Sequence, residues 1–175
     1  MLPAKVAPTR VILLRGGVGG VFSHRLDAMG TALSARGIPT MVSGYGSARA
    51  LTRQLIAEAK ARGVPPRVIL IGHSFGADAV TAIAADLDRA GIRVELLVSF
   101  AATAPRPVAR NVRRAVNYYF AEGGWGLPLQ AARGFRGRLD NRDYSKVAGV
   151  GHFNIEKQKS VQDEVIAAVI AAVRR

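Results

Sequence analysis

Gly72-His73-Ser74-Phe75-Gly76 is the stretch of this sequence best suited to chemistry. The pattern G-x-S-x-G places a serine on a sharp turn from a strand into a helix, with its hydroxyl at the strand's end. Gly72 and Gly76 suit that turn because it crowds the positions two before and two after the serine. A serine hydroxyl is a poor nucleophile at neutral pH. It needs a base within hydrogen-bond reach, a group to orient that base, and donors for the developing oxyanion.

Three histidines can supply the base. His73 lies inside the turn, where its side chain points away from the nucleophile. His24 falls early in the first expected helix and suits surface packing. His152, in Gly149-Val150-Gly151-His152-Phe153, occupies a glycine-flanked loop before the last helix, from which it can reach across a sheet edge. The order serine then histidine fits a hydrolase in which histidine comes last. For the oxyanion, the Phe75 N–H opens a helix. The loop Arg15-Gly16-Gly17-Val18-Gly19-Gly20 lets backbone approach a substrate closely, with Gly17 or Val18 as second donor. That loop matches neither G-x-x-x-x-G-K-[ST] nor G-x-G-x-x-G, which argues against a phosphate cradle and a nucleotide-binding role.

The elements that must position these groups follow from hydrophobic periodicity. Val11–Leu14, residues 38–43, Val68–Ile71, Val94–Phe100 and Ala115–Phe120 read as strands, with a last strand expected near Lys146–Gly149. Between them come helical patterns. Leu26, Met29 and Leu33 follow Ser23 as a possible N-cap, and Leu51 and Leu55 lie on a helix opened by Ser47 and ended near Gly63. Ala77, Val80, Ile83, Ala84 and Leu87 mark a third helix, and Val161, Val165, Val169 and Val173 a fourth. Strands alternating with helices predict an α/β architecture, a doubly wound, mostly parallel sheet formed by residues 1–175 as one domain. Such sheets put their functional groups at the carboxyl ends of strands, where Ser74, the Gly16–Gly20 loop and His152 all fall.

With these residues in place, the sequence resembles the α/β-hydrolase superfamily over nearly its whole length. The likeness is to minimal, lidless members similar to small bacterial lipases and thioesterase-like hydrolases. Leu14-Arg15-Gly16, Val21-Phe22-Ser23, Leu26-Asp27 and the ending Gly151 to Glu156 carry it, together with the serine turn. The resemblance implies Ser74 as nucleophile, His152 as general base and carboxylic esters or thioesters as substrates, with neither metal nor organic cofactor. It also implies a carboxylate after one of the two strands that follow the nucleophile helix. The first ends at Ala101, where related hydrolases tend to carry aspartate, so Ala101 marks a vacant acid position. The second ends Phe120-Ala121-Glu122, which leaves Glu122 as the remaining candidate, or no acid at all. Asp78, Asp140 and Asp143 are expected to serve salt bridges to nearby arginines.

Two functions therefore stand. One is serine-dependent hydrolysis of an ester or thioester, slowed if the acid is missing. The other is a catalytically impaired hydrolase-fold protein that binds a lipid or a protein partner. Composition narrows the partners. The chain of 175 residues carries 25 Lys and Arg against 12 Asp and Glu, and nine basic residues against three acidic ones fall between Thr103 and Lys146. A basic surface attracts acidic lipid headgroups and phosphorylated or CoA-linked substrates. No recognisable nucleic-acid module accompanies it, so no nucleic-acid partner is expected. Arg133, Arg136 and Arg138 are placed to hold an anionic headgroup of the substrate. Trp125, Leu127, Leu129 and Phe135 are placed to cover an acyl chain, unless their segment is an ordinary surface loop that buries the tryptophan. Absence of cysteine removes disulfide and thiolate chemistry. Residues 1–10 lack an apolar signal-peptide core, which fits a cytoplasmic chain, or a periplasmic one whose leader has been trimmed.

Overall fold

A computed structural model describes residues 7–17, 24–123 and 125–175. The strands are β1 (Thr9–Arg15), β2 (Thr40–Gly44), β3 (Arg67–His73), β4 (Val94–Phe100), β5 (Arg114–Tyr119) and β6 (Arg138–Asp143). They form one sheet in the order β2-β1-β3-β4-β5-β6, with every pairing parallel. The helices are α1 (His24–Ser34), α2 (Ala48–Arg62), α3 (Phe75–Arg89) and α4 (Lys159–Val173). Ser23, the expected N-cap of α1, lies outside the described residues.

Parallel crossovers need helices over the faces, so the central strands carry aliphatic side chains on both sides. Val11, Leu13, Ile69, Ile71 and Val98 point into a core closed by Leu26, Met29 and Leu33 of α1 and Val161, Val165 and Val169 of α4. Ile12, Leu14, Val68, Leu70 and Leu97 point the other way, against Leu51 and Leu55 of α2 and Val80, Ile83 and Leu87 of α3. The chain leaves β1 toward β2, then returns past it to β3. The carboxyl ends of β1 and β3 therefore flank the point where the winding reverses, and such crevices receive ligands.

The last strand corrects the sequence reading. It is Arg138–Asp143, whereas residues 146–149 form turns. An edge strand buries little, so RLDNRD lacks the aliphatic run that betrays the inner strands. Between β5 and β6 the chain crosses the sheet edge, and two asparagines hold it there. Asn117 Nδ2 donates to Leu127 O (3.0 Å) and to Asn141 Oδ1 (2.9 Å). Asn141 in turn bonds both the N–H and the C=O of Leu129, each at 2.9 Å. Trp125 stands just ahead of this anchored stretch.

Asn117 is fully buried on β5, so its removal strands the Leu127 carbonyl. Asn117→Ala is expected to cost on the order of 1–3 kcal/mol in urea denaturation. A cost indistinguishable from zero would mean the crossing segment is held by other contacts.

Candidate active site

The turn after β3 is set by contacts too close for any side chain but hydrogen. A Cβ on Gly72 would lie 2.2 Å from Gly76 O, and one on Gly76 would lie 2.0 Å from Leu14 O. Strand, turn and helix thus close on one another, and Ser74 between them takes φ 57° and ψ −123°. An L-residue pays strain for that conformation, which persists only where surrounding packing dictates it. The Ser74 N–H donates to Phe100 O at 2.9 Å, tying the turn to β4.

Ser74 and His152 come together as expected: Ser74 Oγ lies 3.0 Å from His152 Nε2, and both residues are buried. His152 is delivered by a loop that Asn154 fixes locally. Its Oδ1 accepts from Gly151 N–H (2.8 Å) and its Nδ2 donates to Gly149 O (2.8 Å). The other ring nitrogen, Nδ1, meets Trp125 O at 2.5 Å. A carbonyl only accepts, so Nδ1 carries the hydrogen and Nε2 offers its lone pair to Ser74. The Trp125 indole also stacks on the imidazole, with centroids 4.4 Å apart.

Glu122 does not take the acid's place. It is exposed on the turn after β5, where its N–H donates to Ser145 Oγ (2.9 Å), and it forms no hydrogen bond or ion pair with His152. The turn carrying it is tied to the end of β6, with Ala121 N–H also donating to Asp143 Oδ1 (3.1 Å). Nor does Asp78 reach the histidine. It accepts from Thr103 N–H (2.8 Å), Thr103 Oγ1–H (2.6 Å) and Ala104 N–H (2.9 Å), pinning the loop after β4 instead of pairing with an arginine. Asp143 likewise serves its own turn through Ser145 and Ala121, whereas Asp140 does pair with Arg138 at 3.0 Å. Burial pulls the His152 pKa below its ordinary value, against an upward influence from the Trp125 carbonyl and the charge of Asp78. His152 is therefore neutral, and able to accept a proton, at pH 7.

Ala101 has φ 51°, and with Ser74 it is one of two non-glycine residues at positive φ among the described residues. Aspartate and asparagine tolerate that region better than most side chains. Gly126 sits directly on Ala101, since a Cβ on Gly126 would fall 2.8 Å from Ala101 Cα. Leu127 N–H also donates to Ala102 O (2.7 Å). The segment that presents the Trp125 carbonyl thus rests on the very position where the sequence lacks an acid.

On the oxyanion side, Phe75 is the first residue of α3, so its N–H has no intrahelical acceptor and sits at the positive end of the helix dipole. Gly16 packs against the turn: a Cβ there would lie 2.8 Å from Ser74 Cβ and 3.1 Å from Phe75 N. Gly17, at φ 79°, follows directly. Val18 lies outside the described residues, as do Gly19 and Gly20.

Behind His152 lies a buried pair that sequence reasoning missed. His73 Nε2 is 2.6 Å from His152 O and 3.6 Å from Glu156 Oε2. Neither Glu156 oxygen bonds another described residue. Burial pushes the His73 pKa down to about 4 and that of Glu156 up to about 7. The pair supports the histidine loop from beneath, with His73 neutral and Glu156 partly protonated at pH 7. His24, by contrast, is exposed beside Asp27.

Two expectations about the surroundings need correction. Trp125 is not buried but 53% exposed, and Leu127 and Phe153 are similarly open, so apolar side chains rim the site. Arg136 and Arg138 stand at the amino end of β6, the edge opposite Ser74, where they cannot touch an ester held by the serine. Arg106 lies instead beside α3, where its backbone N–H donates to Thr81 Oγ1 (2.9 Å). With Tyr45, Phe75, Asp78, Ala79, Ala82 and Ala104 it lines a groove of about 410 Å3 beside the first turns of α3.

No family model matches the sequence, and no curated protein is significantly similar to it. Solved structures are similar in fold. The type II thioesterase BorB from the borrelidin biosynthetic cluster superposes with TM-score 0.61 at 17% identity, covering 97% of this chain and 92% of that one. Est1E from Butyrivibrio proteoclasticus gives 0.59 at 13% identity over 97% and 89%. A hydrolase of the alpha/beta superfamily from Xanthomonas campestris pv. campestris gives 0.55 at 15% over 93% and 98%. The chain has the α/β-hydrolase fold.

The raised pKa of Glu156 has a consequence for stability. The folded protein holds a proton that the unfolded chain releases between the ordinary value and about 7. This group's stabilising effect is complete below the unfolded pKa and disappears as pH rises through the folded one. Glu156→Gln removes that titration. Relative to the parent, the variant is expected to gain on the order of 1–3 kcal/mol between about pH 5 and about pH 8, read from urea midpoints at each pH. A pH-independent difference would contradict the assignment.

Proposed function

We propose that this protein is a serine hydrolase that cleaves a carboxylic ester or thioester at Ser74. The observation that carries the proposal is the 3.0 Å approach of Ser74 Oγ to His152 Nε2, with the opposite ring nitrogen held by a carbonyl. Ser74 Oγ attacks the substrate carbonyl carbon as its proton passes to His152 Nε2. Phe75 N–H, with Gly17 or Val18 N–H, receives the oxyanion. Collapse expels the alcohol or thiol, which takes the proton from His152 and leaves an acyl-serine. Water, deprotonated by the same nitrogen, then releases the acid. The residues that act belong to the chain itself, and no cofactor is required.

Trp125 O replaces the acid in one of its two roles. It fixes the tautomer, but as a neutral dipole it gives an imidazolium less stabilisation than a carboxylate does. Loss of the triad acid in a serine protease lowers turnover about 10⁴-fold, an effect attributed largely to the wrong tautomer. Since the tautomer is correct here, the deficit is expected to be smaller. The groove along Tyr45, Phe75, Ala79 and Ala82 suits an apolar acyl or aryl group, with Arg106 available to an anionic substituent. The exposed Trp125, Leu127 and Phe153 favour lipid-like acyl substrates. Similarity in fold to a thioesterase and to esterases supports the same reaction class.

A fluorophosphonate probe is expected to label the protein but not Ser74→Ala, and short p-nitrophenyl esters to be cleaved only by the former. Ala101→Asp is expected to raise kcat/KM by about tenfold or more, within the roughly 10⁴-fold an acid contributes. It should also shift the acid limb of the pH profile upward, because an added carboxylate favours imidazolium. Absence of labelling in both the parent and Ala101→Asp would end the enzyme reading. What remained would be a hydrolase-fold protein that binds a lipid or protein partner.

A further inference from the structure

At the edge of the sheet opposite Ser74, the amino ends of β4, β5 and β6 open into a cleft of about 650 Å3. Five arginines line it, Arg93, Arg110, Arg113, Arg136 and Arg138, and no carboxylate does. A second hollow of about 420 Å3 shares Arg93 and Arg113 and adds Arg67 and Arg175, with Glu95 also in its wall. Some of this charge is answered locally. Asp88 pairs with Arg110 at 3.2 Å, Glu95 with Arg67 at 3.5 Å and Arg113 at 3.6 Å, and Asp140 with Arg138 at 3.0 Å. Arg93 and Arg136 form no ion pair with any described residue. Seven guanidinium groups thus face three side-chain carboxylates.

The walls are built rather than incidental. Val94 N–H donates to Asn111 O (3.1 Å), Arg113 N–H to Val94 O (2.8 Å) and Arg138 N–H to Arg113 O (2.9 Å). Asn111 Nδ2 ties the same corner to Ala84 O and Ile92 O. Cations gathered on a rigid frame repel one another unless an anion joins them. Planar guanidinium forks match phosphate oxygens two at a time. The volume exceeds what one phosphate fills and falls in the range of small-ligand sites.

We propose that this cleft binds clustered phosphate groups, at a site separate from the ester-cleaving edge. A strand of six or seven residues spans roughly 20 Å, so the phosphate held here is not part of the reacting ester. The site gives the protein a second ligand, or a phosphate-bearing surface to rest on with its catalytic edge turned away.

The probes are inorganic tripolyphosphate, followed by calorimetry at low salt, and sedimentation with phosphatidylglycerol vesicles against phosphatidylcholine ones. Arg93→Ala with Arg136→Ala is expected to weaken binding by about tenfold or more, as loss of two charge-assisted contacts implies. The control pair Arg49→Ala with Arg53→Ala, both exposed on α2, should change it by less than about twofold. Thermal melting checks the fold. If the alanine pair melts early, the Lys pair at the same positions keeps charge and packing but loses the forks, and should still weaken binding several-fold. Tripolyphosphate binding without vesicle binding identifies a soluble phosphorylated ligand. Vesicle binding lost in the cleft variant identifies a lipid headgroup as the source. No binding of either probe, or equal weakening by the control pair, would overturn the proposal.

Discussion

The closeness of three backbone segments around Ser74 governs everything built on this fold. Gly16 after β1, Gly72 in β3 and Gly76 in α3 each lack room for a Cβ, with backbone atoms of the other segments 2.0 to 2.4 Å from where it would stand. Those contacts lock the turn, hold Ser74 at positive φ and bring Gly16 alongside the Phe75 N–H. Ser74, the proposed nucleophile, and the Phe75 N–H, a proposed oxyanion donor, are therefore placed by main-chain packing. The reversal of winding between β1 and β3 is what allows the two loops to meet.

Around that point the protein solves the orientation of His152 without a carboxylate. A hydrogen bond from Nδ1 to a carbonyl gives the same tautomer that an acid would give. The difference is charge. A unit charge near an imidazolium at 4 Å and an effective dielectric of 20 is worth about 4 kcal/mol, and a carbonyl dipole supplies a fraction of that. The crossing segment must hold its carbonyl in place, and it does so through the Asn117 and Asn141 bonds and the seat on Ala101–Ala102. The His73–Glu156 pair supports the opposite side of the histidine loop.

Much of this was legible in the sequence, for definable reasons. Inner strands buried on both faces announce themselves as aliphatic runs, and β4 was read with its bounds as observed, Val94–Phe100. Edge strand β6 was missed because RLDNRD needs no such run. The approach of Ser74 and His152 was legible because both are side chains in distinctive glycine settings. The partner of Nδ1 was not found because it is a backbone carbonyl, which any residue possesses. The signal for it was indirect: an alanine where an acid is wanted, and a glycine, Gly126, small enough to sit on it. Arg136 and Arg138 were misplaced because the connection after Trp125 runs from beside Ala102, past the carboxyl end of β4, back to Arg113, at the amino end of β5, which linear nearness does not reveal.

The tautomer of His152 tests the central claim most directly. Nitrogen-15 NMR of the histidine-labelled protein above neutral pH distinguishes a protonated from a bare ring nitrogen. The account predicts that His152 carries its hydrogen on Nδ1, with Nε2 bare, and that Ser74→Ala leaves this unchanged because the Trp125 carbonyl alone enforces it. A hydrogen on Nε2, or a mixture of the two forms, would show that the carbonyl does not orient the base, and the proposed route for the proton of Ser74 would fall with it.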